Sequence, residues 1–328
     1  MYSTKIATAI ESYRMKRENE LRTVLQKLPH PYTAVIDGYE NHLVRWAMLN
    51  QLYRTALYAV RESHPDTAIH MLSEWLPMTA PRPAGNVSGD VPVIVDISGT
   101  IQLETGADMP TPAVSPAALG RGECPEGSAA VTAAIALLNE LDSSEPIRQS
   151  LGLVVLLNRR EIGEPASGWT TTAFPGTVYL DWYSKAEFLA KDLVHESTHA
   201  WLNDALDACA VDFSPDESYY SPWKERLRPA YGMLHSIAAF SKVTNFLTRL
   251  YGFSHDPAVK EYCKIRVQQE QGRLKEAQSS AYAVLALVDD EEIAAIVRSE
   301  YEEALDAQVG LQSPSRRNLG RQMQRGGE

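Results

Sequence analysis

The chain has 328 residues, 44% of them hydrophobic and 22% charged, with a formal net charge of −11 and a pI near 5.3. That is the make-up of a core-forming globular protein, and it leaves no basic field to attract nucleic acid or anionic lipid. Three separated cysteines (Cys124, Cys209, Cys263) exclude a disulfide framework and a Cys-x-x-Cys metal site, and apolar runs such as 151–157 are too short to span a bilayer. With no basic-then-apolar stretch at Met1–Lys5, the expectation is a reduced, cytoplasmic protein.

Residues 5–28 carry apolar positions at helical spacing and stop at Pro29 and Pro31. Residues 38–62 read as a second helix, with Leu43, Trp46, Leu49, Leu52, Ala56 and Val60 on its buried stripe. A short helix over 65–75 and a breaker-rich stretch over 77–92 close a helical N-terminal region, 1–80. The second region, 81–311, is expected to hold the chemistry and the C-terminal helices, and 312–328 reads as a disordered Gly- and Arg-rich tail.

Within the second region, 91–99 and 101–104 alternate as short strands, 106–127 reads as a loop and 128–142 as a small-residue helix. Runs 152–157 and 176–182 are buried strands. Ser184 followed by Glu187 forms a capping-box pattern, predicting a helix from 184 to about 207. Pro229 is suited to open the next long helix, to about 251, and 257–308 is helical with a break near Asp289. The fold class is therefore α+β: mainly helical, with a small mixed or antiparallel sheet and a metal site between two long helices.

The run His195-Glu196-Ser197-Thr198-His199 carries the chemistry. Residues four apart share one helix face, so His195 and His199 can offer two imidazole nitrogens to one ion, with Glu196 beside them. A strand just before the helix matches metallopeptidases, whose edge strand pairs with an extended peptide. The compact three-histidine spacing would need a third at 205, where Ala205 stands. Asp212, Asp216, Glu217 and Glu225 are carboxylate candidates, but His235, two turns into the second long helix, is the better third ligand, with Gly232 permitting close helix approach. The other histidines read as surface or packing residues.

The segments Leu193–Ala200, Tyr220-Ser221-Pro222-Trp223, Arg228-Pro229 and Gly232–His235 together resemble the HExxH-motif peptide-modification family of ribosomal-peptide natural product biosynthesis. The resemblance covers about 170–245. It implies an iron(II)- and 2-oxoglutarate-dependent hydroxylase acting on a β-carbon of a precursor peptide, with His195, His199 and His235 as iron ligands. Three protein ligands leave room for a bidentate cosubstrate and dioxygen. The far carboxylate of 2-oxoglutarate calls for a fixed cation, for which Arg228 is first choice and Arg226 the reserve. Trp182, Tyr183 and Tyr231 are candidates to line a peptide channel, and Trp169-Thr170-Thr171-Thr172 a lip over it.

Glu196 separates the mechanisms. In a zinc peptidase, the alternative, it is the general base for the attacking water. In an oxygenase it orients a ligand, binds water or substrate, or coordinates iron. A non-catalytic peptide binder with a structural zinc is a third class, though such sites are generally closed and often cysteine-rich.

Overall fold

The computed structural model describes residues 4–309 except 29, 62–71, 74, 76–92, 98–99, 104–110, 117 and 121–123. The expected helix over 65–75 falls almost entirely outside these, as do the breaker stretch from 77 and the tail. In chain order the elements are α1 (Thr4–Leu25), α2 (His42–Arg61), β1 (Val93–Asp96), β2 (Ile101–Leu103), β3 (Thr111–Ala113), α3 (Pro125–Glu140), α4 (Glu145–Ser150) and β4 (Leu153–Arg159). Then follow β5 (Gly168–Thr170), β6 (Thr177–Trp182), α5 (Ala186–Ala208), β7 (Ser218–Ser221), β8 (Arg226–Pro229), α6 (Ala230–Phe253), α7 (Pro257–Glu276), α8 (Gln278–Leu285) and α9 (Glu291–Asp306).

The main sheet runs β1-β4-β6-β5, with β1, β4 and β6 parallel and β5 antiparallel on the edge, so it is mixed. The period of two along a strand decides what each face meets. Leu153, Val155 and Tyr179 point into a core shared with α1 and α2, including Leu21, Trp46 and Leu49. Val154, Leu156, Val178 and Leu180 point the other way, onto α3, α5 and α6. Both faces are covered, which is why 152–157 reads as a continuous apolar run. A third cluster joins Ile6 and Ile10 of α1 to the end of α5, the start of α6 and α7–α9.

The N-terminal helices are also tied in by polar contacts. Gln51 of α2, fully buried, donates to Thr177 Oγ1 at 3.1 Å and accepts from the Val114 N–H at 3.0 Å. Arg14 of α1 pairs with the buried Asp204 of α5, and Tyr13 donates to Asp207 at 3.1 Å.

Several local expectations need correction. Ser184 does not cap α5: the helix starts at Ala186 with Lys185 as N-cap and no side-chain cap, so the pattern sits one residue early. The strand over 101–104 lies outside the main sheet and pairs with Thr111–Ala113, inside the stretch read as loop. The helix read over 128–142 begins earlier, at Pro125. The 257–308 region breaks near Asp289 as expected, and also at Ala277. No helix among the described residues is long and apolar enough to cross a membrane.

Candidate metal centre

α5 and α6 pack along a seam with Trp201, Leu202, Met233 and Leu234 in its core, and the motif histidines sit beside that seam. His195 and His199 stand one turn apart on α5, their Nε2 atoms 3.2 Å apart. Two nitrogens each about 2.1 Å from one ion, at an angle of about 90–110°, lie roughly 3.0–3.4 Å from each other. The pair therefore fits two adjacent coordination positions. His235 on α6 closes on the other side of His199, Nδ1 to Nδ1 at 3.0 Å, with ring centroids 5.1 Å apart.

The three rings thus form a chain through His199, not a closed triad. Among the described residues no group of three or more His, Cys, Asp or Glu side chains is arranged, as they stand, to hold a metal ion. The proton count explains how His199 can still serve. If its Nε2 is kept as a lone pair, its proton is on Nδ1 and is donated to His235 Nδ1, which orients the ring. His235 Nε2 is buried with no hydrogen-bond partner among the described residues. All three imidazoles are held neutral, the form that binds metal. Burial, then His199 and Lys191, push His195 well below the usual histidine range. Burial and Arg228 push His199 to about 4, and burial, His199 and Arg228 depress His235.

Glu196 is 7% exposed and pushed up to about 8 by burial and by Asp192, against the pull of Lys191. It reaches the edge strand. A Cβ placed on Gly168 of β5 would lie 3.2 Å from Glu196 Oε1 and 2.9 Å from Leu180 Cδ2, so glycine there admits the carboxyl. β5, whose outer edge is unpaired within the sheet, forms one wall of a cleft of about 670 Å³ above the histidines. Trp169, the Thr170–Thr172 lip, Phe240 and Arg228 also line it. Trp169 stacks on Tyr179 (centroids 5.3 Å, 7° between planes) and leaves its buried Nε1 without a partner among the described residues.

Arg228 lines the cleft and donates to Ser236 Oγ at 2.8 Å. Gly232 makes room for this guanidinium, 3.0 Å from where its Cβ would be, and not for a neighbouring helix as its position suggests. Burial and Arg226 hold Arg228 below its ordinary value, yet it remains a cation. Tyr231 also lines the cleft, its ring 4.4 Å from His235 and its hydroxyl donating to Asn203 Oδ1.

Three expected site residues lie elsewhere. Arg226 is on the same strand face as Arg228 but two residues further from α6, where it is exposed and outside the cleft lining. Trp182 ends an interior strand, β6, and Tyr183 follows it, so their surroundings are core. Trp182 packs toward Gly127 and Arg159, and Tyr183 toward Phe188 at 6.1 Å between centroids. Sequence reasoning missed Gly168, Asn203, Lys224, Phe240, Arg266 and Arg273, all on the cleft. For the two arginines a signal existed: 266, 270 and 273 stand at helical spacing, with Glu270 between like charges.

A second pocket, of about 460 Å³, lies between α1, α2 and the segment 170–177. It shares Thr170–Thr172 and Asn203 with the histidine cleft, so the lip separates the two. Comparison with known protein families and with curated proteins gives no match.

Proposed function

We propose that the chain is an iron(II)- and 2-oxoglutarate-dependent hydroxylase acting on an unactivated β-carbon of a residue in a ribosomally made precursor peptide. The observation that carries the metal part is the pair of neutral Nε2 atoms 3.2 Å apart at the floor of an open cleft. The oxygenase part rests on the likeness of 193–200, 220–223, 228–229 and 232–235 to the HExxH peptide-modification family.

His195 and His199 would hold the ion through Nε2. His235 would join as third donor through its Nε2, which is buried and without a partner among the described residues. That role needs the ring to turn, which gives up its Nδ1 contact with His199. When bound, the ion supplies dioxygen activation coupled to oxidative decarboxylation of 2-oxoglutarate to succinate. Arg228, one side chain away from His235, holds the far carboxylate of that cosubstrate by charge-assisted hydrogen bonds. Edge strand β5 offers the backbone groups of its outer edge, unpaired among the described residues, to the peptide, while Phe240 keeps water from the reacting carbon.

A second reading is supported by one specific feature. An antiparallel edge strand beside the motif helix, with the carboxyl of Glu196 against it, is the layout a zinc metallopeptidase needs. There Glu196 takes a proton from the attacking water and hands it to the leaving amine.

The two readings part in one experiment. The full chain is incubated with iron(II), 2-oxoglutarate, air and the precursor peptide encoded beside it. Hydroxylation adds one oxygen to the peptide and yields succinate in equal amount. Cleavage with zinc and no 2-oxoglutarate selects the peptidase, and metal-loaded protein that does neither refutes both.

A further inference from the structure

We propose that the α7 wall of the cleft is a binding site for a carboxylate side chain of the peptide, so that the substrate is acidic close to the residue that reacts. This deepens the peptide-modifying reading and rests on it.

Four cationic side chains line the cleft, Lys224, Arg228, Arg266 and Arg273, against one carboxyl, Glu196. In a chain of net charge −11 such a concentration is local, and a concave wall focuses its field. Arg266 and Arg273 are built in. Both bind Glu270 Oε1, at 2.8 and 3.1 Å, and Glu270 is fully buried. Its other oxygen accepts the Trp223 indole N–H at 2.9 Å. Trp223 lies flat on Phe240 (centroids 4.7 Å, 4°), and Phe240 meets the His195 ring edge at 4.9 Å. One buried carboxylate therefore sets the guanidinium pair at a fixed place relative to the metal pair.

Burying that carboxylate is unfavourable, and packing alone would be met by an apolar residue at 270. What Glu270 adds is orientation. Each guanidinium has five N–H donors; Glu270 occupies one nitrogen of each, and Gln269 Oε1 takes a second nitrogen of Arg266 at 3.1 Å. With side chains 32% and 43% exposed, the remaining donors are open to a ligand. Lys224, exposed and with no ion-pair partner among the described residues, adds a third charge at the mouth. A long polyanion such as RNA is disfavoured by the chain's net charge of −11, whereas a short peptide with one or two carboxylates fits within the cleft.

The test uses two end-capped heptapeptides, alanine throughout except for Glu-Glu or Gln-Gln at the centre, titrated calorimetrically into the full chain. The Glu peptide should bind at least tenfold more tightly at low salt, and that preference should fall in 0.5 M salt. R273Q, which leaves Arg266 on Glu270, should remove most of the preference. K224Q, at an exposed position, should lower it about threefold and guards against a folding defect in R273Q. Neither variant should alter 2-oxoglutarate binding, which R228Q should weaken.

Equal binding of the two peptides, no binding of either at millimolar concentration, or an unchanged preference in both variants would overturn the proposal. So would equally tight binding of a seven-nucleotide RNA. H195A/H199A should lose metal and keep the preference. A wild-type chain that binds the Glu peptide but no metal would sink the oxygenase reading and leave this site standing.

Discussion

Asp181 is the residue through which the edge strand can be tested. Its side chain, fully buried at the end of β6, accepts four hydrogen bonds. The Asn158 N–H and amide reach Oδ1 at 3.0 and 3.2 Å, and Arg160 Nε and the Ser167 N–H reach Oδ2 at 2.8 and 2.9 Å. The carboxylate thus fastens both ends of the loop that leads into β5. In D181N the shape is kept and one oxygen becomes an NH2 group, so two of the four donors lose their acceptor. Arg160 and Ser167 are within reach of water once the loop loosens, so the loss is discounted to about 1–2 kcal/mol in total. The pH dependence has a definite sign. Burial alone would raise the Asp181 carboxyl, but the bonds from Ser167, Arg160 and Asn158 outweigh it and hold it below the usual range. A group depressed in the folded state stabilises above its unfolded pKa, about 4, and stops doing so as pH falls through its folded value. The gap between wild type and D181N in urea unfolding should therefore be full at pH 7 and shrink toward pH 3. Hydrogen exchange at 160–170 should speed up in the variant at pH 7. A gap that is constant with pH, or unchanged exchange in that segment, would refute the account of the loop.

Three further outcomes are expected. H235A should weaken metal binding, measured by competition with a chromogenic chelator, by more than the roughly 10–100-fold that loss of an outer-shell partner brings; a smaller loss makes His235 only the orienter of His199. R228Q removes a charge-assisted pair of about 1.5–3 kcal/mol, so the 2-oxoglutarate concentration needed for half-maximal turnover should rise tenfold or more, and an unchanged requirement removes Arg228 from that role. G168A forces the Glu196 carboxyl and the end of Leu180 aside, and should lower stability by about 1 kcal/mol and impair peptide turnover with metal affinity retained. Unaltered melting and turnover would mean that β5 does not press on Glu196.

Much of the helical frame was legible because its apolar residues repeat at a helical period and its ends carry Pro or acidic signals. Asp290, for example, caps α9 by accepting from the N–H groups of Glu292 and Ile293. The parallel core strands were legible because both faces are buried. What escaped was short and held by tertiary contacts. β5 has three residues with one exposed and two half-buried, so it carries no alternation, and the β7–β8 hairpin offers mostly exposed positions. Its turn is made by Glu225 at φ 51°, a residue type with no turn signature. The histidines were legible as a local spacing. The partners across the cleft were legible only as one helix face at 266, 270 and 273; it is the packing of α7 on α6 that brings Arg266 and Arg273 to the cleft.

The division between what was legible and what was not is also a division of mechanical roles. His195, His199 and His235 project from two long helices whose seam is filled with buried apolar side chains, and a change in their relative position would require that seam to repack. The opposite wall rests on a three-residue edge strand, a polar lip and a two-stranded hairpin, elements that bury little and open at small free energy. A metal needs its donors fixed to a fraction of an ångström, whereas a peptide must enter, be matched and leave. On the proposed function the fold would meet both demands, with the three histidines on the rigid side and β5, the lip and the hairpin on the compliant one. Substitutions in 166–172 and 219–228 should accordingly change which peptide is accepted long before they change whether metal is bound.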